Sequence, residues 1–201
     1  MYDWRRMTES ERKAALASRK FRQYPWHGPP HSAPGEGVYH LTAACYEHAP
    51  IIGLNADRLA DFEQQLLDVV TEHTQSVAAW CVLPNHYHLL VETNALDALT
   101  SALGRLHGRL SFQWNNAEGR RGRKVWHRCA DRAMRSDRHY WTTMNYVHHN
   151  PVHHRYVRRW QDWPFSSAPD FLAQVGAEKT REIWEAYPLL DYGRGWDDPS
   201  L

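Results

Sequence analysis

The sequence predicts an α+β fold, in which a small antiparallel sheet is covered by helices on one face. The first observation behind this is the order of periodic segments, which runs strand, helix, strand, strand, helix, strand, helix. The second is a β-prone run that Pro84 and Asn85 interrupt and that then resumes, as a hairpin does. The third is the length of 201 residues, which suits one globular domain with extensions.

The two ends of the chain are predicted to lie outside this domain. Thr8 and Glu11 stand at capping-box spacing, which predicts a helix over residues 9–21. A Pro- and Gly-rich stretch, "YPWHGPPHSAPGEG", follows and predicts an irregular linker. We therefore divide the chain into an N-terminal helical arm with its linker (1–35), a catalytic domain (36–168) and a C-terminal extension (169–201).

Within the domain, each element has its own signal. "GVYHLTAACYE" predicts the first strand, and an apolar stripe after Asn55 predicts a helix that this residue caps. "SVAAWCVL" and "HYHLLVE" predict the hairpin strands. A helix over residues 96–114 and a short strand at "VWHR" come next. The last helix is predicted to begin at Ser136 or Asp137 and to stop at Pro151.

Cysteine content and hydropathy exclude several protein classes. Cys45, Cys81 and Cys129 are odd in number and widely spaced, so they match neither a disulfide framework nor a CxxC zinc pattern. No apolar run approaches the roughly 18 to 20 residues that cross a bilayer, and the first residues do not resemble a signal peptide. We expect a cytoplasmic protein with no membrane partner.

The net charge of +1 conceals a polarised chain. Residues 105–160 contain thirteen Lys and Arg against three Asp and Glu, and tryptophans and tyrosines are interleaved with them. Arginine forks suit phosphate oxygens, and aromatic rings stack on bases, so this segment predicts a nucleic-acid surface. The alternative is a solvated surface with ordinary ion pairs. The candidate DNA-binding residues are Arg105, Arg109, Arg120, Arg121, Arg123, Lys124, Arg128, Arg155 and Arg158.

The stretch "LPNHYHLLVET" contains two histidines separated by one residue. Residues two apart in a strand project from the same face, so His86 and His88 are able to share one metal ion. Neutral imidazole binds divalent metals well, and two imidazoles leave coordination positions for a substrate oxygen. The alternative is a pair of histidines without a metal, which is the commoner case for an isolated HxH pattern.

The stretch "MNYVHHNPV" places Tyr146 and Asn150 four residues apart, on one face of a predicted helix. The amide oxygen of Asn150 is a possible metal ligand beside the phenol of Tyr146. A nearby cation stabilises a phenolate and makes it an effective nucleophile for phosphoryl transfer. The alternative is a tyrosine that packs against the core and reaches water with its hydroxyl.

In this order, "LPNHYHLLVET", "KVWHRCADRAMRSD", "YVHHNPVHHRYV" and "WPFSS" resemble the Y1-type HUH transposases, and among them the REP-associated tyrosine transposases. The resemblance covers roughly residues 37–168. It implies a ferredoxin-like sandwich, with His86 and His88 as metal ligands, Asn150 completing the site and Tyr146 as the nucleophile. Tyr87 departs from the family pattern, in which the middle residue is usually aliphatic.

The resemblance also implies a function. It predicts a transposase that cleaves and transfers single-stranded DNA at or near a hairpin, through a 5′-phosphotyrosine intermediate and with Mg or Mn as the metal. Its partner is then single-stranded or hairpin DNA of the nucleoid. Two alternatives stay open: a domesticated or non-catalytic protein that binds DNA hairpins, and a metal-dependent phosphodiesterase that activates water. Monomer and homodimer are both compatible with the sequence. His40 lies near the metal only if the first strand pairs beside the histidine strand.

Overall fold

The structure is a computed structural model that describes residues 37–193, together with Thr8 and Ser10. The predicted N-terminal helix and its linker lie outside the described residues, and the domain boundaries stay a prediction. Over the described part of the chain, no helix combines the length and the apolar character that a membrane span requires.

The strands are β1 (Val38–Ala44), β2 (Ser76–Val82), β3 (His86–Glu92) and β4 (Ala130–Ala133). The helices are α1 (Ala56–Glu72), α2 (Leu96–Ala117), α3 (Asp137–His153), α4 (Ala168–Val175) and α5 (Ala177–Ala186). Short 3₁₀ turns lie at Tyr46–His48, Ile52–Leu54 and Trp160–Asp162.

The four strands form one antiparallel sheet in the order β2-β3-β1-β4. Together with the β1-α1-β2-β3-α2-β4 chain order, this is the ferredoxin-like arrangement, so the predicted fold class is confirmed. The β2–β3 hairpin is also confirmed. In the β1–β3 pairing, Thr42 lies opposite His88 and Ala44 lies opposite His86. The strand that carries the two histidines is therefore an interior strand, with a neighbour on each side.

The two faces of the sheet have different covers because side chains alternate along β3. Tyr87 points to the face that carries α1 and α2, where it contacts Phe62 and His107. His86 and His88 point to the opposite face, where α3 packs. The sequence predicts helices on only one face of the sheet. The structure shows that α3 also covers the opposite face.

The core lies between the sheet and α1 and α2, and it contains large side chains such as Phe62, Trp80 and Tyr87 that are fully or almost fully buried. Each such aromatic or aliphatic side chain contributes about 1.5–3 kcal/mol through burial. Trp80 also donates its indole N–H to Glu63 at 3.0 Å, which gives this buried carboxylate a hydrogen-bond partner. The packed core on one face therefore supports the strand whose histidines project from the other face.

The predicted starts of α1 and α3 are confirmed. The Asn55 side chain accepts a hydrogen bond from the Arg58 backbone N–H at 2.8 Å, and Ser136 accepts one from His139 at 3.1 Å. Such caps satisfy backbone donors that a helix start leaves without intrahelical partners.

Two predicted boundaries are wrong. Pro151 does not stop α3, which continues to His153. Proline has no backbone N–H, so Pro151 removes only one intrahelical hydrogen bond from the last turn. The N–H groups of His154 and Tyr156 donate to the carbonyl oxygens of Asn150 and Pro151. The fourth strand begins at Ala130, after "VWHR", and Trp126 forms only an isolated bridge to Cys45. All four residues of β4 are exposed, so no apolar alternation marks this strand in the sequence.

The chain after α5 returns across α3. Asn145 donates its side-chain N–H to the Tyr187 carbonyl at 2.9 Å, and the Tyr192 hydroxyl is hydrogen-bonded to the Thr143 hydroxyl. Trp141 and Tyr187 stack with their ring centroids 6.2 Å apart. We call residues 187–193 the C-terminal strap.

Candidate active site

His86 and His88 lie side by side on β3, and both side chains are almost fully buried. Their ring centroids are 5.0 Å apart and the rings are nearly perpendicular. This spacing follows from the two-residue repeat of the strand, which sends both rings to the face covered by α3.

Helix α3 brings Tyr146 and Asn150 to the same place. The side-chain oxygen of Asn150 lies 3.0 Å from Nε2 of His86, and the ring of Tyr146 lies 5.2 Å from the ring of His88, centroid to centroid. Both residues are buried, one helical turn apart. The structure therefore assembles the two histidines, the amide and the phenol that the sequence placed in separate segments.

The donor set suits a divalent metal ion. Imidazole nitrogen and amide oxygen are ligands for divalent first-row metals, and an amide oxygen also suits Mg. Within the described residues, Nδ2 of Asn150 is buried without a hydrogen-bond partner, an arrangement that costs about 1–3 kcal/mol. The ligand atom in such a site would be the amide oxygen, which already faces Nε2 of His86. No cluster of three or more His, Cys, Asp and Glu side chains suited to a metal occurs in the described part of the chain.

Each candidate ligand histidine has a neighbour at its Nδ1 atom. Nδ1 of His86 lies 2.8 Å from the side-chain oxygen of Asn85, and Nδ1 of His88 lies 3.1 Å from Nε2 of His40. The sequence identified Asn85 only as part of a turn, and it left the place of His40 open because strand register was unknown. His154 is a further neighbour, with its ring 4.8 Å from that of His86.

The C-terminal strap covers Tyr146, which is only 5% exposed. The Tyr192 ring lies 5.8 Å from the Tyr146 ring, and Gly193 packs so closely on Tyr146 that a Cβ atom there would overlap the ring. Sequence reasoning missed this contact, because no local pattern connects Tyr192 with Thr143, which lies 49 residues earlier in the chain.

Most of the candidate DNA-binding residues outside α2 are exposed. Arg155 directly follows His154 after the end of α3, and Arg158 lies three residues further on. The segment between α2 and β4 contains Arg120, Arg121, Lys124 and Arg128. Lys124 places its ammonium 4.3 Å from the centroid of the Tyr46 ring. Arg123 differs from the others because it is half-buried and pairs with Glu118 at 2.9 Å, an ion pair that lowers the pKa of that carboxyl.

Arg105 and Arg109 lie elsewhere. They are exposed on α2, the helix whose His107 contacts Tyr87 on the far face of the sheet. Arg109 donates to the side-chain oxygen of Gln65 on α1 at 3.1 Å. The structure does not bring these two arginines together with Tyr146.

The chain is similar to two curated proteins. A protein of Haemophilus influenzae described as a REP-associated tyrosine transposase is 28% identical over 144 residues, which is 67% of this chain and 80% of that protein. The REP-associated tyrosine transposase of Escherichia coli is 29% identical over 103 residues, which is 51% of this chain and 59% of the relative. The comparisons confirm the resemblance to the REP-associated tyrosine transposases.

A solved structure of a REP-associated tyrosine transposase bound to a REP hairpin shares the fold. Its TM-score is 0.55 at 20% sequence identity, over 73% of this chain and 86% of that chain. The α+β architecture is thus that of a REP-associated tyrosine transposase, although no family model matches the sequence.

Proposed function

We propose that this protein is a tyrosine transposase that cleaves single-stranded DNA at or near a hairpin and transfers the broken strand. The observation that carries the proposal is the meeting of Tyr146 with His86, His88 and Asn150 on one face of the sheet. The similarity to the REP-associated transposases supports this chemistry.

In the proposed reaction, the phenol oxygen of Tyr146 attacks the scissile phosphorus. A P–O bond to tyrosine forms while the bond to the 3′-oxygen breaks. The phenol gives up its proton, and the departing 3′-oxygen takes one from solvent, which leaves a 5′-phosphotyrosine and a free 3′-hydroxyl. The same hydroxyl or another one reverses the step, so the energy of the phosphodiester is kept and the strand is transferred rather than hydrolysed.

His86, His88 and Asn150 would hold a Mg or Mn ion. Such an ion, when bound, supplies charge stabilisation at a phosphate oxygen. The protein contributes the fixed position of the two rings, since β3 is an interior strand and both rings are buried. It also contributes a site from which bulk water is largely excluded, which favours tyrosine over water as the nucleophile.

The proposed substrate is single-stranded DNA with a hairpin. The solved relative is bound to a REP hairpin, which is why this class of DNA is proposed for the present chain. Arg155 and Arg158 follow the helix of Tyr146, so we propose them as phosphate contacts nearest the site. We propose Arg120, Arg121, Lys124 and Arg128 as further contacts, and Arg123 through its partly exposed guanidinium. Arg105 and Arg109 remain candidates for contact with DNA that extends to the far face of the sheet.

Two alternative functions make different products. A phosphodiesterase that activates water releases cleaved DNA without a covalent adduct, and Tyr146 is then dispensable. A protein that only binds hairpins produces neither adduct nor cleavage. The close approach of Tyr146 to His88 favours the transposase, because neither alternative requires a phenol beside the histidine pair.

The test is a covalent adduct on a denaturing gel, after incubation with Mn and a labelled single-stranded oligonucleotide that carries a hairpin from the same genome. We expect the wild-type protein to form the adduct and Tyr146→Phe to lose it, because phenylalanine has no attacking oxygen. Tyr140→Phe is the matched control, since Tyr140 is a second buried tyrosine of α3.

We expect His86→Ala/His88→Ala to lose both adduct and cleavage. An adduct that persists in Tyr146→Phe would refute the nucleophile assignment. Cleavage by Tyr146→Phe without an adduct would favour the water-activating phosphodiesterase. If the wild type and all variants bind the hairpin but none cleaves it, the result would favour the non-catalytic binding protein.

A further inference from the structure

His40 is a buried histidine beside the candidate metal site but on a different strand. It lies on β1, two residues from Thr42, which is the cross-strand partner of His88. Its ring stacks on the His88 ring, with centroids 5.2 Å apart and planes inclined by 28°. Its Nε2 atom lies 3.1 Å from Nδ1 of His88. The contact is thus directed at one particular nitrogen of the candidate ligand.

His40 contacts Nδ1 of His88, and the protonation of this atom determines which nitrogen of His88 can bind a metal. A neutral imidazole carries a proton on one nitrogen and a lone pair on the other, and only the lone pair binds a cation. If Nδ1 of His88 donates to His40, the lone pair of His88 is on Nε2. Ligand histidines in proteins commonly donate their second N–H to such a neighbour, which sets both tautomer and ring orientation.

We propose that His40 is a positioning residue, whose Nε2 accepts a hydrogen bond from His88 Nδ1 and so keeps Nε2 of His88 as the metal-binding nitrogen. This inference rests on the proposed function for the metal itself. His40 is not a ligand in this arrangement, because its Nε2 atom faces the ring nitrogen of His88 that does not bind the ion. The proton of neutral His40 is then on its own Nδ1.

The second histidine of the pair has a comparable neighbour, which supports the interpretation. Asn85 accepts at 2.8 Å from Nδ1 of His86, and its own amide N–H donates to the His48 carbonyl at 3.1 Å. Nε2 of His86 is then the atom that faces Asn150. Each candidate ligand therefore has a neighbour at its own Nδ1 atom. For His86 the neighbour is Asn85 in a loop, and for His88 it is His40 on the adjacent strand.

The experiment compares His40→Gln, which keeps a hydrogen-bond acceptor, with His40→Phe, which keeps a planar ring but has no acceptor. His73→Phe is the control for loss of a histidine, since His73 lies at the end of α1 and bonds to the Val69 carbonyl. The first measurement is the long-range ¹H–¹⁵N histidine spectrum of the metal-free protein above neutral pH, with the His88 signals assigned from a His88→Gln spectrum. The second is Mn²⁺ binding, measured from the electron paramagnetic resonance of the free ion.

We expect His88 to carry its proton on Nδ1 in the wild type and in His40→Gln, and to shift toward the other tautomer in His40→Phe. We expect His40→Phe to bind Mn²⁺ roughly 10–100-fold more weakly, and His40→Gln to recover most of the affinity. A wild-type His88 protonated on Nε2 would overturn the proposal even if His40→Phe does not fold. Equal Mn²⁺ affinity in both variants and the wild type would also overturn it.

The proposed function fails in a different way. If the wild-type protein binds Mn²⁺ no more tightly than His86→Ala/His88→Ala does, the metal site itself is refuted. The tautomer of His88 in the metal-free protein still decides whether His40 holds that ring.

Discussion

At the residue scale, burial determines the protonation state of His107. His107 lies on the far face of the sheet, stacked on Trp126 with ring centroids 4.1 Å apart, and its Nε2 is 3.2 Å from the Tyr87 hydroxyl. Burial lowers the pKa of His107 to about 4, because a charged imidazole loses its hydration there. His107 is thus a neutral core residue, remote from the proposed reaction.

The depressed pKa of His107 makes stability depend on pH. Between the ordinary histidine pKa of 6.5 and a value of about 4, the unfolded chain binds a proton that the folded chain does not. The free energy of unfolding should therefore fall by roughly 3 kcal/mol from this residue as the pH drops through that window. Denaturant unfolding at several pH values, for the wild type and for His107→Gln, measures this contribution as the difference between the two profiles. Parallel profiles would show that His107 does not titrate in this way.

At the element scale, the end of α3 combines backbone strain with a proposed DNA contact. Arg155 follows the helix with φ of +59°, the left-handed conformation that favours glycine at this place. The N–H groups of His154, Arg155 and Tyr156 bond back to the last turn and hold this geometry. An arginine in such a position is unfavourable for folding, so its presence is consistent with a functional role.

We therefore expect Arg155→Gly to stabilise the fold by about 0.5–1 kcal/mol and to weaken hairpin binding. The gain in stability comes from removing the strain of a left-handed arginine. It is partly offset because glycine has more conformational freedom to lose when the chain folds. Thermal unfolding and a DNA-binding titration at fixed salt measure the two effects. Arg158→Gly is the control: it also removes an exposed arginine near the site, but its backbone has no positive φ, so it should weaken binding without a gain in stability.

At the scale of the whole molecule, distant parts of the chain meet over Tyr146, the proposed nucleophile. The C-terminal strap crosses α3 through the Tyr187–Asn145 and Tyr192–Thr143 hydrogen bonds and ends with Gly193 on the ring of Tyr146. A DNA phosphate that reaches the phenol must compete with this cover. Access to Tyr146 is therefore a property of the assembled chain, and not of α3 alone.

We expect Gly193→Ala to accelerate formation of the covalent adduct, because a methyl group there overlaps the Tyr146 ring and displaces the strap. Gly176→Ala is the matched control. Gly176 has a similar positive φ of +84°, compared with +80° at Gly193, but the space around its Cβ position is open. The rate at which the adduct appears distinguishes the two variants. Thermal unfolding checks that both variants are folded. A slower reaction in Gly193→Ala would show that the strap holds Tyr146 in place for attack.

The sequence by itself determined the local geometry. Alternation along a strand places His86 and His88 on one face, and the helical repeat places Tyr146 one turn from Asn150. The cap at Asn55 was equally predictable, since it depends on residues within one turn. These features rest on periodicity and short-range hydrogen bonds, which neighbouring residues specify without reference to the rest of the chain.

Only the tertiary structure decided what surrounds that local geometry. Strand register places His40 against His88, and chain return places Gly193 on Tyr146. The packing of α2 on the far face separates Arg105 from the site, although charge along the sequence grouped it with Arg155. Each of these contacts joins residues far apart in the chain. Their partners depend on register and packing, which local sequence patterns do not specify.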